Sequence, residues 1–171
     1  MLLLIRVDDR LLHGQVGTAW TPKLQADTIV IANDKACNSS MLKMTINLAK
    51  PAGVDLKVLE LQQAADFLND KDGKLARRHV FVITETIADA AFLTEHVNGL
   101  NKVNLGGIRQ SKEQDKVKIS KQVFLNKEEM EILTGMVKNN VEVYELVAPM
   151  DPQKNWGAIQ ETFSKGGGKI C

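Results

Sequence analysis

Five short apolar runs, residues 2–7, 28–32, 54–59, 79–83 and 103–105, recur along the chain with helix-patterned segments between them. Strand and helix in repeated alternation restrict a chain to a mostly parallel sheet whose connections cross back over its faces. Runs such as TIVIA (28–32) and HVFVI (79–83) are apolar almost throughout, as in strands buried on both sides. One or two short strands are expected over 119–125 and a last one over 141–147. Asn38 or Ser39 can cap a helix through Met41, Met44, Ile46 and Leu48, and Thr86 with Asp89 marks another helix start. Asn126-Lys127-Glu128-Glu129 is a capping box for a helix to about Lys138. Asn33-Asp34, Asp72-Gly73, Asn98-Gly99 and Asn139-Asn140 read as turns. The expected fold is α/β: an open, mostly parallel, doubly wound sheet with helices on both faces and an active-site loop after strand 1. One domain is expected over residues 1–150, followed over 151–171 by a C-terminal helix and a Gly- and Lys-rich mobile tail.

With 171 residues, 44% of them hydrophobic and 25% charged, the chain can bury an ordinary globular core. A net charge of +1 gives no overall pull towards nucleic acid. No apolar stretch nears the ~20 residues of a membrane span. The N-terminal leucines lack a basic flank and run straight into charges, so they read as a strand rather than a signal peptide. A soluble, cytoplasmic protein is expected. Cys37 and Cys171 have neither metal-ligand nor redox spacing, and Cys37 reads as a small buried or loop residue. No G-x-G-x-x-G or Walker-type loop follows strand 1, so nucleotide binding has no support. Trp20 and Met41 with Met44 read as core.

The chemistry concentrates in Asp8-Asp9-Arg10-Leu11-Leu12-His13-Gly14-Gln15-Val16, between the first strand and a helix opening near Gly17. The carboxyl edge of a parallel sheet is where ligands bind in such folds. A helix start offers free N–H groups and the positive end of a dipole, both suited to a phosphate. Arg10 adds a permanent charge with a planar donor fork. Imidazole can take up and release a phosphoryl group near neutral pH, so His13 is a candidate phosphoryl acceptor as well as a plain loop residue. Gly14 lets the backbone approach a ligand closely. Asp8 and Asp9 are expected to orient His13, hold Arg10 in an ion pair or simply serve the loop. Gly106-Gly107 after the fifth strand reads as a close approach to a ligand or neighbouring loop, or as a tight turn. The charge run Arg109, Lys112, Lys116, Lys118 and Lys121 is a solvated face unless it borders the histidine. His79 at a strand start and His96 at a helix end read as structural.

The run DDRLLHGQV followed by Trp20 resembles the enzyme IIB component of the mannose/fructose/sorbose family of the bacterial phosphoenolpyruvate-dependent sugar phosphotransferase system. Asn33-Asp34, Pro51-Ala52-Gly53-Val54, Val103-Asn104-Leu105-Gly106-Gly107, Lys118-Ile119-Ser120-Lys121-Gln122-Val123 and Val141-Glu142-Val143 before Pro149 look like further landmarks in family order. The likeness covers residues 2 to about 151.

This resemblance implies a phosphotransferase working through a covalent phosphohistidine. A IIA phosphohistidine would donate to His13, and phospho-His13 would pass the group to a sugar held by the membrane subunits IIC and IID. Arg10 would stabilise charge, and the amides of Gly14, Gln15 and Val16 would cradle the phosphoryl oxygens. Asp8, Asp9, Gly106 and Gly107 would support the site; Arg109, read apart from the likeness, is expected to border the site and face the partner or the sugar-bearing subunit. No metal or cofactor is implied, because such a transfer needs placement and electrostatics. The protein would lie in the cytoplasm against a membrane transporter, with homo-oligomers open and no nucleic-acid partner. Mannose, fructose, sorbose and amino sugars all fit, since the membrane subunits are expected to recognise the sugar. Thr84-Glu85-Thr86 departs from the more basic or amide-rich segment expected there, so Glu85 should weaken the phosphate field or point away. The competing reading is a non-catalytic module that binds a small anionic or phosphorylated ligand.

Overall fold

The computed structural model describes residues 1–70, 73, 75–111 and 115–167. Asp72 of the expected turn, Lys112 of the charge run and the tail from 168, with Cys171, lie outside the described residues. A seven-stranded sheet forms the centre, in the order β3-β2-β4-β1-β5-β8-β9. Its strands are β1 (Leu2–Asp8), β2 (Thr28–Ala32), β3 (Asp55–Leu59), β4 (Val80–Thr84), β5 (Lys102–Gly107), β8 (Glu142–Glu145) and β9 (Lys154–Asn155). All neighbours pair in parallel except β8 with β9. A second, two-stranded antiparallel sheet pairs β6 (Val117–Lys118) with β7 (Phe124–Leu125).

Alternate residues of each strand feed two cores, one per face. Ile5, Val7, Val30, Val82, Val103 and Leu105 pack with Ala64 and Leu68 of α4 (Leu61–Leu68), Leu93 of α5 (Ile87–His96) and Met130 and Leu133 of α6 (Lys127–Lys138). Leu4, Ile29, Ile31, Phe81 and Ile83 pack on the other face with Leu12, Val16 and Trp20 from the segment after β1. Ala36 of α2 (Asp34–Cys37) and Ile46 of α3 (Ser40–Leu48) join them there. This is the period-2 alternation of a sheet covered on both sides. The connection leaving β1 thus goes to one face and that leaving β4, its neighbour, goes to the other. Such a divergence opens a crevice at the carboxyl end of neighbouring strands, and the Asp8–His13 loop leaves β1 at that end, bonded to the end of β5 by the Asp9 N–H to the Gly107 carbonyl at 2.8 Å.

Helix caps follow the sequence. Ser39, Thr86 and Asn126 each accept a backbone N–H three residues on, and Glu129 completes the capping box at Asn126. Asn33 does more than end a strand: its side chain accepts the Ala36 N–H at 2.8 Å and caps α2, a helix too short to show a period. Past residue 150 the chain stays in the fold, since β9 extends the sheet and Ile159 and Phe163 of α7 (Trp156–Lys165) are buried in the first core.

Trp20 is core, but Met41 and Met44 are not: they are 77% and 67% exposed, as is Leu48 at 85%. The helix α3 carries apolar residues at 41, 42, 44, 46 and 48, so two stripes compete for the sheet. The stripe through Leu42 and Ile46 packs inward. Among the described residues no helix is long and apolar enough to cross a membrane.

Candidate functional site

Asp8, the last residue of β1, organises the site. Its carboxylate is fully buried and takes four hydrogen bonds and one further ion contact. Arg6, two residues earlier and hence on the same side of the strand, donates from Nη2 and Nε to Oδ2 at 3.1 and 3.3 Å. The Arg10 main-chain N–H reaches Oδ1 at 3.1 Å, and its Nε lies 3.5 Å from the same oxygen. His13 Nε2 stands 3.1 Å from Oδ2. Burial alone would raise the Asp8 carboxyl, but the His13 hydrogen bond, the Arg6 charge and the Arg10 amide outweigh it and hold the group below the ordinary carboxylate value. An ionised Asp8 can only accept, so in the neutral imidazole Nε2 carries the proton and Nδ1 the lone pair.

The loop is short and pinned. Leu11 N–H closes a turn on Asp8 C=O at 2.9 Å, and Leu11 itself adopts a left-handed φ of 55°. Leu11 and Leu12 are both buried, which fixes the residues on either side of them. His13 C=O accepts the Gly17 N–H at 3.0 Å and so opens the helix. The helix runs as a π-helical turn, Val16–Trp20, into α1 (Thr21–Leu24). First-turn N–H groups of a helix have no partner within it, and those of Gly14, Gln15 and Val16 stand in that position beside His13. Gly14 and Gln15 are exposed, and Val16 is a core residue. Gly17 permits close packing of this helix, since a Cβ there would lie 2.7 Å from the Ala49 carbonyl oxygen.

Arg6 is a site residue that the sequence reading passed over. It is 1% exposed inside an apolar strand. Its Nη1 donates to Asn104 Oδ1 at 2.8 Å and Leu146 C=O at 3.2 Å, and its Nη2 to Val147 C=O at 3.1 Å. The Trp20 ring lies 4.9 Å from its guanidinium carbon, and the indole N–H donates to Val147 C=O at 3.1 Å. Burial pulls the Arg6 pKa down, against the charge and hydrogen bonds of Asp8. The signal was an arginine in an apolar run with an aspartate two places on, hence a same-face ion pair.

Gly106 and Gly107 make room for this pair and do not form a turn. They are the last two residues of β5 itself. A Cβ on Gly106 would fall 2.0 Å from Arg6 Cζ, and one on Gly107 2.8 Å from Asp8 Oδ1. Their missing side chains make the space that the buried ion pair fills.

Asp9 does not touch His13 or Arg10. Its carboxylate takes the Arg109 main-chain N–H at 2.9 Å and Arg109 Nε at 3.0 Å, so Arg109 borders the loop through Asp9. That pairing raises the Arg109 pKa. Glu85 turns from the site: it accepts from Asn33 Nδ2 at 2.6 Å and lies 3.6 Å from Lys35 Nζ, on the β2 side of β4. His79 and His96 contact the Gln25 and Phe92 carbonyls and stand outside the site. A second missed residue is Gln122, whose Oε1 accepts Arg10 Nη2–H at 2.9 Å across 112 positions of sequence. Among the described residues no cluster of three His, Cys, Asp or Glu could hold a metal ion.

The family described as PTS system sorbose subfamily IIB component matches residues 2–166. A probable phosphotransferase enzyme IIB component of Streptococcus pyogenes serotype M6 is 33% identical over 153 residues, 87% of this chain and 93% of that protein. The sorbose-specific EIIB component of Lacticaseibacillus casei is 29% identical over 96% of this chain and 99% of its own length. The crystal structure of the IIBSor domain of the sorbose permease from Klebsiella pneumoniae superposes with a TM-score of 0.85 at 26% identity, covering 95% of this chain and 98% of that one. The chain, matched nearly end to end in sequence and in fold, belongs to the sorbose-subfamily IIB components of the sugar phosphotransferase system.

Proposed function

We propose that this IIB component carries the phosphoryl group on His13, taking it from a IIA phosphohistidine and giving it to a sugar during uptake through IIC and IID membrane subunits. The observation that carries the reading is the buried Asp8 carboxylate 3.1 Å from His13 Nε2. It fixes the tautomer, so Nδ1 is the nucleophile. In the first step the Nδ1 lone pair forms a new P–N bond as the P–N bond of the donor breaks. The imidazole ring then bears positive charge, and Asp8 stabilises it through the retained Nε2–H. Arg10 and the first-turn amides of Gly14, Gln15 and Val16 supply the oxyanion-side stabilisation. In the second step a sugar hydroxyl attacks phosphorus, the P–N bond breaks, and the hydroxyl proton goes to a base on the acceptor side. Nδ1 recovers its lone pair, and Nε2 never releases its proton.

Arg6 acts behind this front. It neutralises Asp8 without reaching solvent, which keeps the aspartate's field from repelling the phosphate. Exposed Arg109 at the rim, held by Asp9, meets the partner proteins rather than the reacting atoms.

Intact-mass measurement after incubation with phosphoenolpyruvate, the general phosphotransferase proteins and a cognate IIA tests the reading. Gain of one acid-labile phosphoryl group, absent in His13→Ala, supports it. No adduct alongside a demonstrably phosphorylated IIA would leave a module that binds an anion without turning it over.

A further inference from the structure

We propose that Gln122 is the positioning residue of Arg10, a neutral clamp that aims the guanidinium without cancelling its charge; this rests on the reading of His13 as phosphoryl acceptor. Arg10 needs such a clamp. Its side chain is 36% exposed, and among the described residues its only other polar side-chain contact is Nε at 3.5 Å from Asp8 Oδ1. A long, exposed arginine retains much rotamer freedom, and freedom at the phosphate-facing group is lost in each transfer. The 2.9 Å bond from Nη2–H to Gln122 Oε1 removes that freedom beforehand.

Gln122 is itself fixed. Its carbonyl accepts the Ile108 N–H at 2.8 Å, and Phe124 N–H donates to Ile108 C=O at 2.8 Å, so the segment is stitched to the end of β5 on both sides of Val123. Val123 is fully buried and Ile119 is 2% exposed, which ties the segment to the core. The acceptor is therefore a feature of the sheet edge, not of a free loop.

Charge explains why an amide suits the place. The Asp8 carboxylate is already shared among Arg6, Arg10 and His13. A second carboxylate on Arg10 would compete with the incoming phosphoryl oxygens for the same donors. An amide oxygen orients the fork and leaves its net charge for the phosphate.

The test uses potassium phosphoramidate, a small donor that needs no partner protein, and follows phospho-His13 formation by intact mass. Gln122→Ala is expected to slow it about tenfold, and Gln122→Glu at least as much although the bond is kept. In an Arg10→Ala background, Gln122→Ala should change nothing further. A wild-type rate in Gln122→Ala, or the same slowing without Arg10, overturns the proposal, as does a wild-type rate in Gln122→Glu. The nitrogen-15 spectrum of the Arg10 guanidinium reads the clamp without any transfer: rotation restricted in the wild type and free in Gln122→Ala supports it, and no difference overturns it. A wild-type chain that takes no phosphoryl group contradicts the carrier reading, and the guanidinium spectrum still decides whether Gln122 holds Arg10.

Discussion

His13 Nε2 and Asp8 Oδ2 lie 3.1 Å apart at the end of the central strand, and the same oxygen takes Arg6 at 3.1 Å from within the core. One buried carboxylate thus joins the loop that bears His13 to the interior of the sheet, so loss of its charge is expected to affect folding and, on the proposed reading, transfer together. Asp8→Asn should cost about 3–5 kcal/mol of unfolding free energy, because it leaves the buried Arg6 guanidinium without its counter-charge. Urea denaturation measures this, and an Asn variant within 1 kcal/mol of wild type would refute it.

The same residue predicts a pH dependence. The folded-state pKa of Asp8 is depressed: burial pushes it up, but His13, Arg6 and the Arg10 amide together hold it down. A depressed carboxyl adds stability above its unfolded value of about 3.9, and that contribution is lost as pH falls through the lower folded value. The stability gap between wild type and Asp8→Asn should therefore be full near neutrality and shrink as pH drops below about 4. Paired thermal melts across that range check it, and a gap that widened on acidification would contradict it.

Arg10→Ala should slow formation of phospho-His13 by about 10- to 100-fold, the range of one charge-assisted hydrogen bond lost at the transition state. Arg10→Lys should recover only part of it, because a point charge cannot keep both the clamp and the bidentate fork. Quenched-flow rates with a phosphorylated IIA donor distinguish the two variants.

Gly106→Ala should destabilise the fold by about 2 kcal/mol or more, although one methyl group is all it adds. The new carbon would meet Arg6 Cζ at 2.0 Å, and that side chain is locked by Asp8, Asn104 and two carbonyls. Gly107→Ala, with 2.8 Å to Asp8 Oδ1, should cost less. Melting temperatures order the pair.

Arg109→Ala should leave unfolding free energy within about 1 kcal/mol of wild type, as surface ion pairs contribute little. Arg109 is 68% exposed, so its loss should appear in how transfer from a protein donor varies with salt. Identical salt profiles in the two proteins would remove Arg109 from the docking rim.

Much of this was legible in the sequence because it is local. The strand pattern, the caps at Ser39, Thr86 and Asn126 and the placing of His13 after strand 1 each depend on neighbours a few residues apart. What escaped depends on distance or on burial. Arg6 sits inside an apolar run, where a charged residue reads as an edge or a solvated face, and only its partners Asp8, Asn104 and Val147 make its burial sensible. The glycines 106 and 107 read equally as a close backbone approach or as a tight turn, because the side chains that need their space come from another strand. Gln122 reaches Arg10 across 112 positions, and nothing local to its segment says which side chain it meets. Met41 and Met44 read as core because spacing alone does not choose between the two apolar stripes of α3, and only the Leu42–Ile46 stripe packs inward.

The central claim, that Asp8 fixes the tautomer and leaves Nδ1 of His13 to carry the group, has a direct measurement. The histidine-labelled chain is phosphorylated with potassium phosphoramidate, and phosphorus-31 and nitrogen-15 spectra identify the bonded nitrogen. One acid-labile phosphoryl group on Nδ1 of His13, absent in His13→Ala, is the predicted result. Attachment at Nε2, or on His79 or His96 instead, would contradict it.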